Sequence, residues 1–290
     1  MMPTPTAAAT REGTPAGRDV ERLRAEQSAA FQGEDFARFF ALTQRLAEVS
    51  PGYARSYEFH RHRVLDALAR CVPDLFFLQV GGMDGKRFDP IYAFVKHHRW
   101  KGIILEPLPD LFAALAANYA GHENVALVNA ALTDGDGERG MFRVRPQAVR
   151  EGVVPLWAEG ISSFFPDRNA LGGCGVSPDL HAELRRHTQV ETVRCLTLRS
   201  LTERYPMPRL DLLQIDAEGC ELQILRQVDW SVHRPNVLHL EHWALPLGER
   251  GELLGILGEK GYLLRMSESD VLAVDGTIHE ACSSEAGWSC

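Results

Sequence analysis

A short apolar run that ends in a glycine-rich turn constrains the fold of this chain more than any other feature. The run 76–80 leads into the glycine-rich residues 81–85, and a second apolar run, 102–105, ends in Glu106. On a parallel sheet, glycines at a strand end let the backbone approach a ligand closely. An acidic side chain after the next strand can accept hydrogen bonds from two ribose hydroxyls. The pattern therefore predicts a nucleotide-type site on a parallel sheet.

The composition indicates one large α/β domain with an extension. The chain has 290 residues, of which 45% are hydrophobic, which is enough for a substantial core. Its net charge is −8 and its basic residues are scattered, which argues against a nucleic-acid partner because phosphates require a basic face. No apolar run approaches the roughly 20 residues that span a bilayer, and the first residues lack a secretory signal's apolar core, so no membrane partner is expected. The six cysteines form no C-x-x-C pair, which favours a reduced, cytoplasmic protein.

Three parts are predicted along the chain. Residues 1–20 are rich in small residues and predict a disordered tail. Residues 21–72 predict a helical extension in which Gly33 separates two helices. Residues 73–290 predict the main domain. The apolar extension could cover the site or form the contact of a homodimer.

Within the main domain, short apolar strands alternate with amphipathic helices, which predicts a mostly parallel sheet covered on both faces. The alternation pauses at 133–138, a turn predicted to start a hairpin that returns through 141–144. Residues 146–190 are irregular and are interpreted as a lid inserted over the strand ends. The predicted strands are 75–80, 102–105, 125–129, 210–215, 237–241, 262–266 and 271–274.

Each of five predicted parallel strands ends in a polar or glycine element. In an open parallel sheet these ends meet at one edge, where ligands bind. The elements are 81–85, Glu106, 129–131, 216–219, and Glu241 with His242.

The glycine spacing indicates which nucleoside ligand fits. A dinucleotide turn reads G-x-G-x-x-G and sets a pyrophosphate on a helix N-terminus, whereas this turn has another spacing and carries Asp84, whose charge opposes a phosphate. S-adenosylmethionine has no phosphate, and carboxylates near its ammonium are favourable. In this interpretation Glu106 holds the ribose hydroxyls and Asn129 meets the adenine edge.

A second acidic constellation follows the strand 210–215. Asp216 and Glu218 fall near the expected reacting centre, with helix capping as their alternative role. His242 and Glu241, just past the strand 237–241, are candidate general bases.

These motifs resemble the FkbM family of S-adenosylmethionine-dependent methyltransferases over roughly residues 75–266. The resemblance implies an α/β class I methyltransferase fold, a Rossmann-like sheet of seven mostly parallel strands with the last one antiparallel. It also implies methyl transfer, usually to a hydroxyl of a sugar, polyketide or other secondary metabolite. The matching segments are Val80-Gly81-Gly82-Met83-Asp84-Gly85, Leu105-Glu106-Pro107, Val128-Asn129-Ala130-Ala131-Leu132, Thr197-Leu198 and Ile215-Asp216-Ala217-Glu218-Gly219-Cys220-Glu221.

Two positions depart from the family pattern. Family members often carry Asp where this chain has Gln79, so the cofactor's ammonium would be balanced by Asp84, Asp216 or backbone carbonyls. Met83 stands in place of an asparagine and cannot repeat its hydrogen bond. Ser163, in a segment that also resembles the family, is expected at the cofactor or the acceptor.

The resulting hypothesis is O-methylation of a hydroxyl on a small-molecule acceptor. The catalytic candidates are His242, Asp216 and Glu241, with His242 favoured as the base because a lone carboxylate deprotonates an alcohol poorly. Glu218 and His242 are expected to bind the acceptor. No resident metal is predicted, although a divalent metal bridging Asp216, Glu218 and Glu241 is another route to the same chemistry. The residues predicted to bind the cofactor are Gly81, Gly82, Asp84, Gly85, Glu106, Asn129, Ala130, Ser163 and Asp216.

Three alternatives stay open at this point. N-methylation of a small molecule would need little help from a base. An NAD-linked oxidoreductase or epimerase would also place Glu106 on a ribose, although the glycine spacing opposes it. A non-catalytic adaptor could keep the same fold, and titration with S-adenosylmethionine distinguishes it from an enzyme.

Overall fold

Four helices form the front of the molecule, and the computed structural model describes residues 15–283. The predicted break at Gly33 is confirmed, since it separates the first two helices. Residues 15–20 are helical because Val20 is buried in a cluster with Leu46, which corrects the predicted end of the tail. The rest of the predicted tail, residues 1–14, lies outside the described residues. The helices are α1 (Pro15–Gln32), α2 (Phe36–Val49), α3 (Pro51–Ala54) and α4 (Tyr57–Cys71).

Seven strands of the described chain form the main sheet. They are β1 (Phe76–Val80), β2 (Lys101–Leu105), β3 (Val125–Val128), β7 (Leu212–Ile215), β8 (Val237–Glu241), β9 (Leu263–Met266) and β10 (Asp270–Val274). Their order is β3-β2-β1-β7-β8-β10-β9. Neighbours pair in parallel from β3 to β8, and β10 pairs antiparallel with both β8 and β9. The predicted fold, a mostly parallel seven-stranded sheet with the last strand antiparallel, is confirmed.

Helices cover both faces of this sheet, as the apolar strands predicted. Successive residues of a strand point to opposite faces, so Phe77 and Leu78 belong to two different core clusters. None of the described helices combines the length and apolar character that a membrane span requires. The helices that follow the first strand in the chain and flank the sheet are α5 (Tyr92–His98), α6 (Pro109–Asn118), α9 (Leu198–Arg204), α10 (Glu221–Leu225), α11 (Leu247–Glu259) and α12 (Gly276–Ser283).

Helix α4 shares its core with the main sheet. Its side chains Val64, Leu65 and Leu68 lie in one buried cluster with Phe77 of β1 and Leu212 of β7. The predicted domain boundary at residue 73 therefore runs between residues of a single core.

A second sheet has three strands, β4 (Ala131–Leu132), β5 (Gly137–Val144) and β6 (Thr188–Leu196), in the order β4-β6-β5. The predicted hairpin is wrong, because it paired β5 with the strand that precedes it in the chain. In the structure, β5 pairs antiparallel with β6. The reason is that β4 pairs in parallel with β6, and the amide of Thr133 donates to the carbonyl of Leu196 at 2.9 Å. The turn therefore starts beside β6, and β5 continues along it.

The predicted lid, residues 146–190, is folded rather than irregular. It contains α7 (Pro146–Arg150), α8 (Pro178–Arg186), two 3-10 helices at Leu156–Glu159 and Ala170–Gly172, and the first residues of β6. Its apolar side chains form their own buried cluster, which includes Val149, Val154, Ala158, Leu171 and Leu184.

Candidate active site

Strand register brings the predicted polar elements to one edge of the main sheet. Val80 pairs with Leu105 on one side and with Ile215 on the other, and Ile215 pairs with Leu240. The residues that follow these four therefore lie side by side at the carboxyl ends of the strands. They are Gly81, Glu106, Asp216 and Glu241.

The first two glycines are required by neighbouring protein atoms. Gly81 has a φ of +83°, and a Cβ atom there would overlap the carbonyl of Asp216. A Cβ atom at Gly82 would overlap the side chain of Ile104. The amides of Gly81 and Gly82 both donate to the carbonyl of Leu105, at 3.1 and 2.9 Å. The glycines therefore let the turn pack tightly between β2 and β7, with its backbone facing the cavity described next.

A cavity opens at this edge of the sheet, and the empty space within its mouth and walls is about 1000 Å³, part of it continuous with solvent. Apolar side chains form part of its wall, among them Leu108, Met141 and Phe164. Among the described residues that line it, five carboxyl groups face one guanidinium, that of Arg87. The excess of acid favours a cationic small ligand and opposes a phosphate-bearing one. The five acidic residues are Asp89, Glu106, Glu159, Asp216 and Glu218.

Glu106 is buried beneath the glycine turn. Its Oε2 accepts a hydrogen bond from the amide of Met83 at 2.9 Å, and its Oε1 accepts one from the amide of Leu108 at 2.8 Å. Burial raises the pKa of Glu106 to about 8, although these two bonds act in the opposite direction. Each carboxylate oxygen has a second lone pair, so Glu106 can still accept bonds from two ribose hydroxyls.

Asp89 lines the cavity and was missed in the sequence analysis. Its Oδ2 accepts a hydrogen bond from Nε2 of Gln79 at 3.1 Å, and its Oδ1 accepts bonds from the amides of Ile91 and Tyr92. Burial raises the pKa of Asp89 to about 6. Oε1 of Gln79 is buried, and no described residue forms a hydrogen bond with it. The signal for Asp89 in the sequence was the neutral Gln79 at a position where the family often has an acid. A carboxyl group elsewhere could take over that role, and the carboxyl group of Asp89 lies within hydrogen-bond distance of Gln79.

Three carboxyl groups meet at the ends of β7 and β8. One oxygen each from Asp216, Glu218 and Glu241 lies within 4.8 Å of the other two. Glu218 and Glu241 are 6% and 5% exposed, whereas Asp216 is exposed at the cavity. Burial raises the pKa of Glu218 to about 8 and that of Glu241 well above its usual range. The surrounding protein also reduces the hydration of the Asp216 carboxyl group, although its side chain opens to the cavity, and raises its pKa to about 6. Repulsion by the negative charge of Asp216 adds to the shifts of both glutamates.

The inserted segment holds the turn that carries these acids. Oγ of Ser163 donates to the carbonyl of Glu218 at 2.6 Å, and Nδ2 of Asn169 donates to Oε2 of Glu218 at 2.7 Å. Nη1 of Arg168 donates to the carbonyl of Gly219 at 2.8 Å. Glu218 has a φ of +50°, which is unfavourable for a residue with a side chain, so these bonds stabilise a strained turn. Sequence reasoning missed Asn169 and Arg168 because their partners lie 49 and 51 residues further along the chain.

Several predicted cofactor residues lie behind the cavity wall. Asp84 accepts bonds from the amide and the guanidinium of Arg87. Nδ2 of Asn129 donates to the carbonyls of Glu106 and Pro107 at 2.8 and 3.0 Å. Both residues therefore shape loops that line the cavity. Of the predicted cofactor residues, Gly81, Gly82, Glu106, Ala130 and Asp216 line it, and Asp84, Gly85, Asn129 and Ser163 do not.

His242, the favoured base, is also not among the residues that line the cavity. It is 1% exposed, and neither ring nitrogen has a hydrogen-bond partner among the described residues. Burial, followed by the charge of Arg250, lowers the pKa of His242. Its amide donates to the carbonyl of Ser269 at 2.7 Å, which ties it to the loop before β10. The structure therefore brings Asp216 and Glu218 to the cavity, but not His242 or Glu241.

The lining fits S-adenosylmethionine group by group. Oε1 of Gln79 and the carboxyl of Asp89 offer acceptors to an ammonium. Glu106 offers acceptors to the ribose hydroxyls, and the apolar wall that includes Phe164 suits a purine ring. Asp216 adds negative charge for the sulfonium.

Comparison with known proteins agrees with this fit. Residues 79–264 match the family described as "Methyltransferase FkbM domain". The chain is 26% identical over 189 residues to Methyltransferase sdnD of Sordaria araneosa, a match that covers 59% of this chain and 68% of that relative.

Two solved methyltransferases show a weaker likeness. Methyltransferase FkbM from Methylobacillus flagellatus KT is 11% identical with a TM-score of 0.41, over 89% of this chain and 60% of that one. The O-methyltransferase from Bacillus cereus in complex with SAH is 10% identical with a TM-score of 0.37, over 91% and 94%. TM-scores this low carry no argument, whereas the family match spans most of the main domain. The chain belongs to the FkbM family and is an S-adenosylmethionine-dependent methyltransferase.

Proposed function

We propose that the protein methylates a hydroxyl oxygen of a small-molecule acceptor. The observation that carries the proposal is the acidic cavity at the strand ends, which has an apolar wall on one side and Asp216 and Glu218 on the other.

The chain itself contributes position and charge. When bound, the cofactor supplies a methyl group on a positively charged sulfur, which departs as a neutral thioether. Glu106 would hold the ribose, and Asp89 with Gln79 would hold the ammonium. Fixing the methyl carbon against the acceptor oxygen in this way removes much of the entropic barrier to transfer.

The acceptor hydroxyl must also lose its proton, and Asp216 is the group best placed to help. It lines the cavity, and its pKa is raised to about 6. A carboxylate with this pKa is still a weak base for an alcohol. His242 would have to move before it could reach the acceptor, because it does not line the cavity.

N-methylation is the second candidate, because the same acids would attract a protonated amine. Burial raises the pKa of Glu218 to about 8, which suits a group that takes a proton from an ammonium. Transfer of a carbon-13 methyl group to acceptors of both kinds separates the candidates, because methoxy and N-methyl carbons differ in chemical shift. Exclusive N-methyl products would overturn the proposal of O-methylation.

An NAD-linked reaction has no support at this site. Five carboxyl groups line the cavity, and a diphosphate there would meet strong repulsion. The adaptor alternative requires that the cofactor does not bind, which calorimetric titration with S-adenosylhomocysteine tests directly.

We expect Asp216→Asn to lower turnover by about 10²-fold or more, since general acid–base assistance is worth about that much. Its melting temperature should stay near that of the wild type, because Asp216 is exposed and forms no hydrogen bond with another described side chain. The measurements are steady-state methyl transfer and thermal unfolding, with the exposed helix residue change Asp179→Asn as the matched control. A lower melting temperature with an unchanged rate of methyl transfer would show that Asp216 only caps the following turn.

The location and the assembly belong to the proposal as well. The free cysteines found among the described residues, Cys71, Cys174, Cys195 and Cys220, support a reducing compartment, as expected for the cytoplasm. The homodimer stays a prediction, and light scattering after size exclusion measures it.

A further inference from the structure

We propose that Asp216, Glu218 and Glu241 together bind one divalent metal ion, Mg²⁺ in the first instance, in the wall between the main sheet and the cavity. The three residues come from the ends of two neighbouring strands, and one oxygen from each lies within 4.8 Å of the others. Oxygen ligands of one Ca²⁺, at about 2.3–2.6 Å from the ion, lie within about 5 Å of one another, so Ca²⁺ can contact all three acids as they stand. Around Mg²⁺, at about 2.1 Å from the ion, the limit is about 4.2 Å, so Mg²⁺ draws the three oxygens together by about half an ångström.

Within the described part of the chain, no ion pair balances the charge of the cluster. None of the lysine, arginine or histidine side chains in residues 15–283 forms an ion pair with any of the three acids. The neutral amide of Asn169 bonds to Glu218. Carboxylates held this close repel one another and cannot all ionise unless a cation is added.

Glu241 supplies the second, independent observation. It is 5% exposed, and its Oε2 is buried with no hydrogen-bond donor in the described residues, while its backbone pairs with Asp270 across β8 and β10. A buried acceptor with no partner costs about 1–3 kcal/mol, and more when it is charged. An ion coordinated by this oxygen removes that cost. A capping or purely structural role for Glu241 would leave the oxygen without a partner and the cost in place.

The position of Glu241 favours a metal ion over an amine of the acceptor. Glu241 does not line the cavity, whereas Asp216 and Glu218 do. An ammonium attached to a bulky acceptor would reach the two lining acids and stop short of Glu241. A bare ion can contact all three, and an all-oxygen ligand set is the one that Mg²⁺, Mn²⁺ and Ca²⁺ prefer.

A metal ion at this site would help the acceptor hydroxyl lose its proton, which Asp216 alone does poorly. This role of the metal rests on the proposed O-methylation. Asp216 is exposed, so the bound ion has one open side toward the cavity, where an acceptor hydroxyl can coordinate. Coordination lowers the pKa of the hydroxyl, and its proton passes to water. The oxygen then forms a bond to the methyl carbon, the carbon–sulfur bond breaks, and its electron pair stays on sulfur as the thioether.

The test is metal binding by the full chain after treatment with a chelator. Mn²⁺ serves as the probe, because free Mn²⁺ is measured directly by its paramagnetic resonance signal. We expect one Mn²⁺ per chain, displaced by excess Mg²⁺, and a rise in melting temperature with the metal. Glu241→Gln and Asp216→Asn should each weaken Mn²⁺ binding at least about tenfold. Glu159→Gln is the matched control, since this acid also lines the cavity but pairs with Arg87 at 2.8 Å.

Two results would overturn the metal site: no Mn²⁺ binding by the wild type at roughly millimolar concentration, or equal binding by the wild type and Glu241→Gln. Calorimetric titration of the metal-free protein with S-adenosylhomocysteine distinguishes a failure of the metal proposal from a failure of the proposed methyltransferase function. If the protein binds S-adenosylhomocysteine but no metal ion, the metal proposal is wrong and the proposed function stands. The substitution Glu241→Gln preserves shape and removes a buried charge, so its fold is checked by its melting temperature.

Discussion

Glu106 shows how one residue serves both the fold and the ligand. Its carboxylate accepts the amides of Met83 and Leu108, so it fixes the glycine turn and the loop after β2 at the same time. Glu106 also lines the cavity, where the ribose is expected. A substitution at this residue therefore has to keep the hydrogen-bonding shape if it is to report on binding alone.

Above a pH of about 8, where Glu106 is ionised, we expect Glu106→Gln to weaken binding of S-adenosylhomocysteine by about 1.5–3 kcal/mol, the size of a hydrogen bond to a charged group. Glutamine keeps one acceptor oxygen for the loop but removes the charge that the ribose hydroxyls meet. Isothermal titration calorimetry measures the change, and Glu138→Gln, an exposed acid on β5, is the control. Unchanged affinity would place the ribose elsewhere.

The pKa of Glu106 also predicts how stability depends on pH. It is 4.5 in the unfolded chain and about 8 in the folded one, so the folded state holds this proton more tightly. The resulting stability is present below a pH of about 4.5 and is lost as the pH rises through about 8. Without ligand, the melting temperature of the wild type should therefore fall across this range more than that of Glu106→Gln. Parallel curves for the two proteins would contradict the raised pKa.

At the scale of elements, the inserted segment supports the site from the side as well as covering it. Ser163, Arg168 and Asn169 all bond to the turn between β7 and α10. That turn carries Glu218 at a positive φ, so its shape depends on these bonds. A segment interpreted from its composition as a lid therefore also acts as a clamp on the acidic turn.

We expect Asn169→Ala to cost about 1–3 kcal/mol of stability, because it leaves the buried carboxyl of Glu218 and the carbonyl of Ile161 without their donor. It should also lower turnover, since the acidic turn loses a support. Asn124→Ala is the matched control, because the side chain of Asn124 also donates two hydrogen bonds, both to backbone carbonyls, but lies away from the cavity. The control should lose stability and keep its turnover per folded molecule. If both variants lose the same fraction of their turnover, Asn169 supports the fold in general and has no specific role at the acidic turn.

At the scale of the whole molecule, the front helices differ in how they join the core. Helix α4 packs directly on the sheet, with Val64, Leu65 and Leu68 in the cluster of β1 and β7. The outer helices, α1 to α3, contribute one buried residue to this cluster, Phe36 of α2. In addition, Glu34 accepts a hydrogen bond from Tyr92 at 2.6 Å and so contacts the start of α5. We therefore propose that the folding unit extends back at least to α4, about fifteen residues before the boundary that the sequence pattern suggested.

A pair of truncations tests this boundary. A chain that begins at Ser56 should fold with a lower melting temperature, because it keeps α4 and loses the outer helices. A chain that begins at Val72 should not fold, since each large buried side chain lost costs about 2–5 kcal/mol and a whole domain has only about 5–15 kcal/mol. Circular dichroism and thermal unfolding measure both. A folded, cooperative chain from Val72 would restore the boundary at residue 73.

The amino-acid sequence by itself determined the sheet, the family and the class of cofactor. These follow from local signals: apolar runs of strand length, helices between them, and Gly81, Glu106 and Asp216 directly after three strands. Parallel strands in register must bring such residues to one edge, so no knowledge of distant contacts was needed.

Only the tertiary structure decided which of these residues face the ligand. Whether a side chain past a strand end turns to the cavity depends on segments far away in the chain, such as the loop that holds His242 at Ser269. The same applies to Asp89, which sits beside Gln79 through the path of a turn, and to Asn169, 49 residues from Glu218. Packing between distant segments sets these directions, and neither periodicity nor spacing along one strand contains that information.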